Sequence, residues 1–150
     1  MPLEIRILGP KWERALAIFF SGLRGPSEAY FHPHPLTDEA ANQLAHCRGE
    51  DLYYLLVDGG SILAYGMLRG WDEGFEVPSL GIVVSPACRG KGFGELLMKF
   101  LHSAARSKGA KKIRLKVYKA NLAAYKLYEK LGYQFEERSG EEQLIGILVL

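Results

Sequence analysis

The stretch Leu80-Gly81-Ile82-Val83-Val84-Ser85-Pro86-Ala87-Cys88-Arg89-Gly90-Lys91-Gly92-Phe93-Gly94-Glu95 decides how the rest of the chain reads. Leu80–Val84 is a short apolar run, as expected of a strand buried on both faces. Ser85-Pro86 ends it. Phe93, Leu96, Leu97, Phe100, Leu101, Ala104 and Ala105 then recur at helical spacing, so a long amphipathic helix follows the glycines. A glycine turn entering a helix exposes successive backbone N–H groups where the helix dipole also favours an anion. Each such contact contributes ~0.3–1 kcal/mol when exposed and up to about 2 when partly buried. Without a Cβ, the turn lets a pyrophosphate touch the backbone, and Arg89 and Lys91 add charge. No Gly-Lys-Ser/Thr follows a four-residue gap, so this is not a P-loop. Gly90-Lys91-Gly92-Phe93-Gly94-Glu95 also lacks the dinucleotide G-x-G-x-x-G spacing. A glycine-rich turn without a ligand is the remaining alternative.

Working outward, Leu3–Leu8 reads as a first strand, stopped by Gly9-Pro10. Trp12, Ala15, Leu16, Phe19, Phe20 and Leu23 mark a first helix. A Gly/Pro/His-rich stretch from Gly22 to Pro35 follows. Thr37 is a candidate N-cap with Asp38 and Glu39 in the first turn, and Gly49 is expected to close that helix. Asp51–Val57 and Ile62–Leu68 flank Asp58-Gly59-Gly60-Ser61, a hairpin signal. Arg69–Pro78 is acidic and turn-rich. Ile113, Leu115 and Val117 alternate with Arg114, Lys116 and Tyr118, a half-buried strand. Asn121–Leu131 is a short helix closed by Gly132, and Tyr133–Glu137 and Leu144–Leu150 are final strands around Ser139-Gly140. The order β-α-α-β-β-β-α-β-α-β-β predicts an α+β fold with a mixed sheet, in one domain over 1–150.

Length and composition agree. A chain of 150 residues buries about 68–70% of its unfolded surface, enough for a core without disulfides or metal. With 48% hydrophobic and 24% charged residues it is neither disordered nor collagenous. No apolar run approaches the ~18 residues of a membrane span, and MPLEIRILGPKWER has no secretory pattern. Cys47 and Cys88 stand in unrelated contexts, so a reduced, cytoplasmic protein is expected. The net charge of +2 hides a split. Pro86–Lys130 holds twelve Lys/Arg against two acids, while the other 105 residues hold seven against fifteen. That division suits a polyanionic ligand on one side and a cationic one on the other, or simply a solvated helix face and a basic strand edge.

Arg-Gly-Lys-Gly-Phe-Gly after a strand and Ser-Pro resembles the Gln/Arg-x-x-Gly-x-Gly/Ala motif of GNAT-superfamily N-acetyltransferases. Asn121-x-x-Ala124-x-x-Leu127-Tyr128-x-x-x-Gly132-Tyr133 resembles a second motif of that family, in the right order. The resemblance covers roughly residues 50–135; before that only the element order is similar. It implies the acyl-CoA N-acyltransferase fold and transfer of acetyl from acetyl-CoA to a primary amine of a small molecule or protein, in a ternary complex. It implies that the backbone of Ile82, Val83 and Val84 pairs with the pantetheine arm. Arg89, Gly90, Lys91, Gly92, Phe93, Gly94 and Glu95 would hold the pyrophosphate, Asn121 would bond the arm, and Tyr128 would protonate the leaving thiolate. Asn121 is an equally good helix N-cap, and Tyr128 lies on the apolar stripe of Ala124, Leu127 and Leu131.

The general base is where the chain departs from the family. Members acting on protein N-termini often place a glutamate on the fifth strand, five residues before the asparagine, where Lys116 stands. Others place it near the start of the fourth strand, which makes Glu76 the candidate here, with Asp72 and Glu73 behind it. Phe31-His32-Pro33-His34-Pro35 falls in the segment that covers the acceptor site in this family, so His32 and His34 are candidate substrate contacts. Their spacing and the lack of a third ligand speak against a metal. Alternatives are a non-catalytic acyl-CoA-binding or sensing domain on the same fold, and a basic RNA-associated protein using the run Arg106–Lys119. No recognised RNA-binding pattern accompanies that run, so neither nucleic acid nor membrane is an expected partner. Oligomeric state is open, with a homodimer through the C-terminal strands as one candidate.

Overall fold

The computed structural model describes residues 2–23, 30–31, 33–137 and 140–150. His32 and Ser139 lie outside the described residues, as does most of the stretch between Gly22 and Tyr30. The elements are β1 (Leu3–Ile7), α1 (Glu13–Gly22), α2 (Asp38–Ala45), β2 (Leu52–Asp58), β3 (Ser61–Arg69) and β4 (Ser79–Val84). They continue as α3 (Phe93–Ser107), β5 (Lys112–Tyr118), α4 (Leu122–Lys130), β6 (Gln134–Glu136) and β7 (Gln143–Val149). This is the expected order, and the fold is a mixed α/β one.

One seven-stranded sheet runs β1-β2-β3-β4-β5-β7-β6. All neighbours are antiparallel except β4 and β5. Those two strands meet at a single rung, Ser79 with Arg114, where the Arg114 N–H donates to the Pro78 carbonyl at 2.9 Å. Beyond it they part. Helices cover both faces. Leu16 and Phe20 of α1 pack with Tyr65 and Met67 on one side. Leu97, Met98 and Leu101 of α3 pack with Leu115 and Tyr128 on the other. Gly66 lets α3 come close, since a Cβ there would lie 2.8 Å from Leu101 Cδ1.

Three local expectations change. α2 ends at Ala45, with the His46 N–H donating to Asn42 O, four residues before Gly49. Gly49 instead makes room for Asp72: a Cβ there would sit 2.5 Å from both Asp72 carboxylate oxygens. The apolar stripe of α3 is rotated, leaving Leu96 44% exposed while Met98 and His102 are buried. Tyr133 draws His102 inward, its hydroxyl 2.8 Å from His102 Nε2. β4 is buried on both faces only at Leu80 and Val83; Gly81, Ile82 and Val84 are half-buried because the strand borders an opening.

Candidate active site

Where β4 and β5 separate, a cleft of about 1250 Å³ enters the molecule. From Leu80 onward β4 has no rung with β5, so that edge keeps free backbone groups. Ile82, Val83 and Val84 line one wall; Leu115, Lys116 and Val117 line the other. β4 leads through a 3-10 turn, Pro86–Cys88, into the glycine turn. Gly90 and Gly92 have φ of 79° and 80°, a region that L side chains rarely adopt. Gly92 is the N-cap of α3 and no side chain caps the helix, which leaves its first amides available to a ligand. A Cβ at Gly90 or Gly92 would meet nothing within 4 Å.

The surrounding charges differ in their engagement. Arg89 lines the cleft, whereas Lys91 is exposed and is not among the lining residues. Glu95 lines the cleft from the first turn of α3, but Lys130 at 2.6 Å and Lys99 at 3.0 Å engage its two oxygens. Their hydrogen bonds hold its carboxyl below the usual range.

Asn121 and Tyr128 enter from α4. Asn121 Oδ1 accepts from the Ala124 N–H at 3.4 Å, so the capping role is real even though the residue borders the cleft. Tyr128 is 8% exposed, and burial pushes its phenol up to about 12. Its hydroxyl has no hydrogen-bond partner among the described residues. Behind it stands the Tyr133 ring at 5.9 Å, which is bonded in turn to His102.

At the other end lies the loop between β3 and β4. Glu73 and Glu76 line the cleft there beside Phe75 and Val77. The loop base is fastened. Asp51 Oδ1 accepts from the N–H groups of Gly70 at 3.0 Å and Asp72 at 3.2 Å. Asp72 in turn accepts from Glu50 at 2.6 Å and Asp51 at 3.4 Å. Asp72 is thus spent on backbone and stands outside the cleft lining, while Glu76 is exposed within it. His34 also stands outside. Its Nδ1 is 2.7 Å from Pro35 O and its Nε2 is 3.0 Å from the Tyr65 hydroxyl. Its ring packs on Phe20, Phe31 and Tyr65, and burial lowers its pKa.

The cleft therefore gathers Ile82–Val84, Arg89, Gly90, Gly92–Glu95, Asn121, Tyr128 and Glu76. It does not gather Lys91 or His34. The cleft also takes in Arg69, Ser79, Tyr118 and Gln143, and turns Arg114 and Lys116 toward it, none of which the sequence motifs point to. The signal available for the β5 residues was their alternation with buried Ile113, Leu115 and Val117.

A model for the acetyltransferase (GNAT) family matches residues 17–133. The chain belongs to the GNAT acetyltransferase family. It is 37% identical over 81 residues to YobR of Bacillus subtilis (strain 168), an uncharacterized N-acetyltransferase. That match covers 54% of this chain and 32% of YobR, so it spans about a third of the relative's length. The GNAT domain of S. lividans PAT superposes with a TM-score of 0.86 at 16% identity, over 99% of this chain and 90% of that one. The PaiA N-acetyltransferase of Thermoplasma acidophilum, solved in complex with coenzyme A, gives 0.77 at 17% identity over 100% of both chains. Likeness at these identities is likeness of fold. The family is one of acyltransferases. Among the described residues, no helix is long and apolar enough to cross a membrane.

Proposed function

We propose that the chain moves an acetyl group from acetyl-CoA to a primary amine by direct attack in a ternary complex. The parted strands carry this reading: the free edge of β4 runs into the uncapped N-terminus of α3, with Tyr128 lining the same cleft. The backbone of Ile82, Val83 and Val84 offers an edge to the pantetheine arm. Amides from Gly90 to Glu95, with Arg89, take the pyrophosphate, and Asn121 borders the arm. When bound, the donor supplies an activated thioester carbonyl. The residues of the chain do the rest.

An amine with pKa ≈ 10.4 costs ~4.6 kcal/mol to neutralise at pH 7. Glu76 takes that proton, directly or through water. The N–C bond then forms and the C–S bond breaks; a second amine proton ends on the departing sulfur, so the reaction yields an amide, a thiol and one released proton. For Tyr128, with its phenol at about 12, giving a full proton to a thiolate of pKa ≈ 8.5 is uphill by about 5 kcal/mol. Tyr128 therefore acts by donating a hydrogen bond to the sulfur as charge develops, and it relays the amine's proton late.

Tyr128→Phe tests the assignment by thiol release and by acetyl-CoA binding, measured separately. Thiol release is expected to fall about 100-fold or more with binding unchanged. Undiminished activity would make Tyr128 a packing residue. Binding without thiol release from any amine, in the unaltered protein, would leave a CoA-binding module instead of an enzyme.

A further inference from the structure

The acceptor end of the cleft is not the acidic chamber that suits a simple cationic amine. Strand register sets Arg69 of β3 beside Ser79 of β4, and Ser79 beside Arg114 of β5. All three line the cleft. With strands about 4.8 Å apart, the two arginine backbones stand roughly 10 Å from each other, within reach of one small anion between them. Lys116, two residues along β5, returns to the same face and lines the cleft as well.

These cations are unspent. In the basic third, by contrast, Lys99, Lys108, Lys119 and Lys130 each pair with a glutamate. Among the described residues, no ion pair involves Arg69, Arg114 or Lys116. Arg69 gives one N–H to Pro33 O at 2.8 Å, which fixes the guanidinium and leaves its other donors. The donor's own phosphates do not account for this row. Their turn follows Val84, and Ser79 lies at the opposite end of β4, about 16 Å away along the strand.

We propose that the acceptor is an amine that also carries an oxyacid group, a carboxylate or a phosphate ester, seated on the Arg69–Ser79–Arg114 row. Guanidinium forks match either oxyacid, and the Ser79 hydroxyl between them adds a donor. Glu73 and Glu76, at the same end of the cleft, face the ammonium. A bare cation would meet the same three positive charges with no group of its own to engage them. The proposal rests on the acetyl-transfer reading of this cleft.

Two matched pairs test it: phenylalanine with phenethylamine, and phosphoethanolamine with ethanolamine. Each is titrated at millimolar concentration against the CoA-loaded protein, reading the unfolding midpoint, and is assayed for thiol release with acetyl-CoA. The acid-bearing member of at least one pair is expected to raise the midpoint and its bare partner not to; which pair responds separates carboxylate from phosphate. Arg114→Gln is expected to cut kcat/KM, or the affinity, for that member about 10- to 100-fold while the KM for acetyl-CoA stays put, with Arg114→Lys recovering part of the loss. Bare amines that bind or react as well as their acid-bearing partners overturn the proposal. So does an absence of response to both acid-bearing compounds. If acetyl-CoA itself fails to bind, the transfer reading falls, and titration of the same pairs on the unloaded protein still scores the arginine row.

Discussion

Burial acts in opposite directions on two neighbours of one ring. It pushes Tyr128 up to about 12 and His102 down to about 4, because in each case the neutral form is the one a desolvated site tolerates. For His102 this becomes a stability statement. Between about pH 6.5 and pH 4 the unfolded chain takes up a proton that the folded ring refuses. Stability is therefore flat above pH 6.5 on this account and falls as pH drops through the window, by on the order of 2 kcal/mol once solvent screening is allowed for. Urea unfolding at pH 7 and pH 4.5 checks it: His102→Gln should lose less stability between the two than the unaltered protein. An equal loss would show that the ring titrates normally. In the sequence His102 is an unremarked residue of a helix. Nothing local announces that Tyr133, 31 residues on, holds it inward. Tyr128 was legible only through the motif around it, since its apolar stripe fits a packing tyrosine equally well.

Among the elements, the conformation of the glycine turn was the most readable, because the positive φ that glycine permits is a local property. Gly92 and Gly94 separate two demands there. Gly92→Ala forces a left-handed φ on a side chain and should cost about 1–2 kcal/mol of stability. At Gly94 a Cβ would make ordinary contacts, 3.5 Å to Val84 and 3.6 Å to Leu127. Gly94→Ala should fold normally yet bind acetyl-CoA more weakly, because the methyl stands in the cleft lining; unchanged binding would move the pyrophosphate elsewhere. Periodicity also found α3, but its face was off by one residue position. What seats it is Gly66, 35 residues from its partner Leu101 and invisible as a contact in the sequence. Gly66→Ala should destabilise by about 1–3 kcal/mol in chemical unfolding, through overpacking. A cost near zero would mean that α3 shifts freely. Alternation along β5 was legible too. Its parting from β4 was not, since an apolar strand run looks the same whether its neighbour stays or leaves.

For the whole molecule, element order was enough to recover the mixed sheet, while the acceptor row was out of reach: Arg69, Ser79 and Arg114 become neighbours only through register across three strands. The charge split was real in sequence and is partly cancelled in space, as four lysines of the basic third meet glutamates. A ligand bridging the parted strands stabilises the entire fold. Acetyl-CoA at 100 times its Kd should contribute about 2.7 kcal/mol, raising the unfolding midpoint by about 5–10 °C for a chain of this size. A nucleotide lacking the pantetheine arm should do less. No shift at millimolar acetyl-CoA would remove the donor from the account. The two aspartates beneath the β3–β4 loop have a further consequence, for engineering. Because Asp51 and Asp72 anchor the loop at its root, Phe75 and Val77 at its tip can be exchanged around Glu76 without loosening it. On the acetyl-transfer reading, those two side chains can be rewritten to admit a different amine while Glu76 and the glycine turn stay as they are.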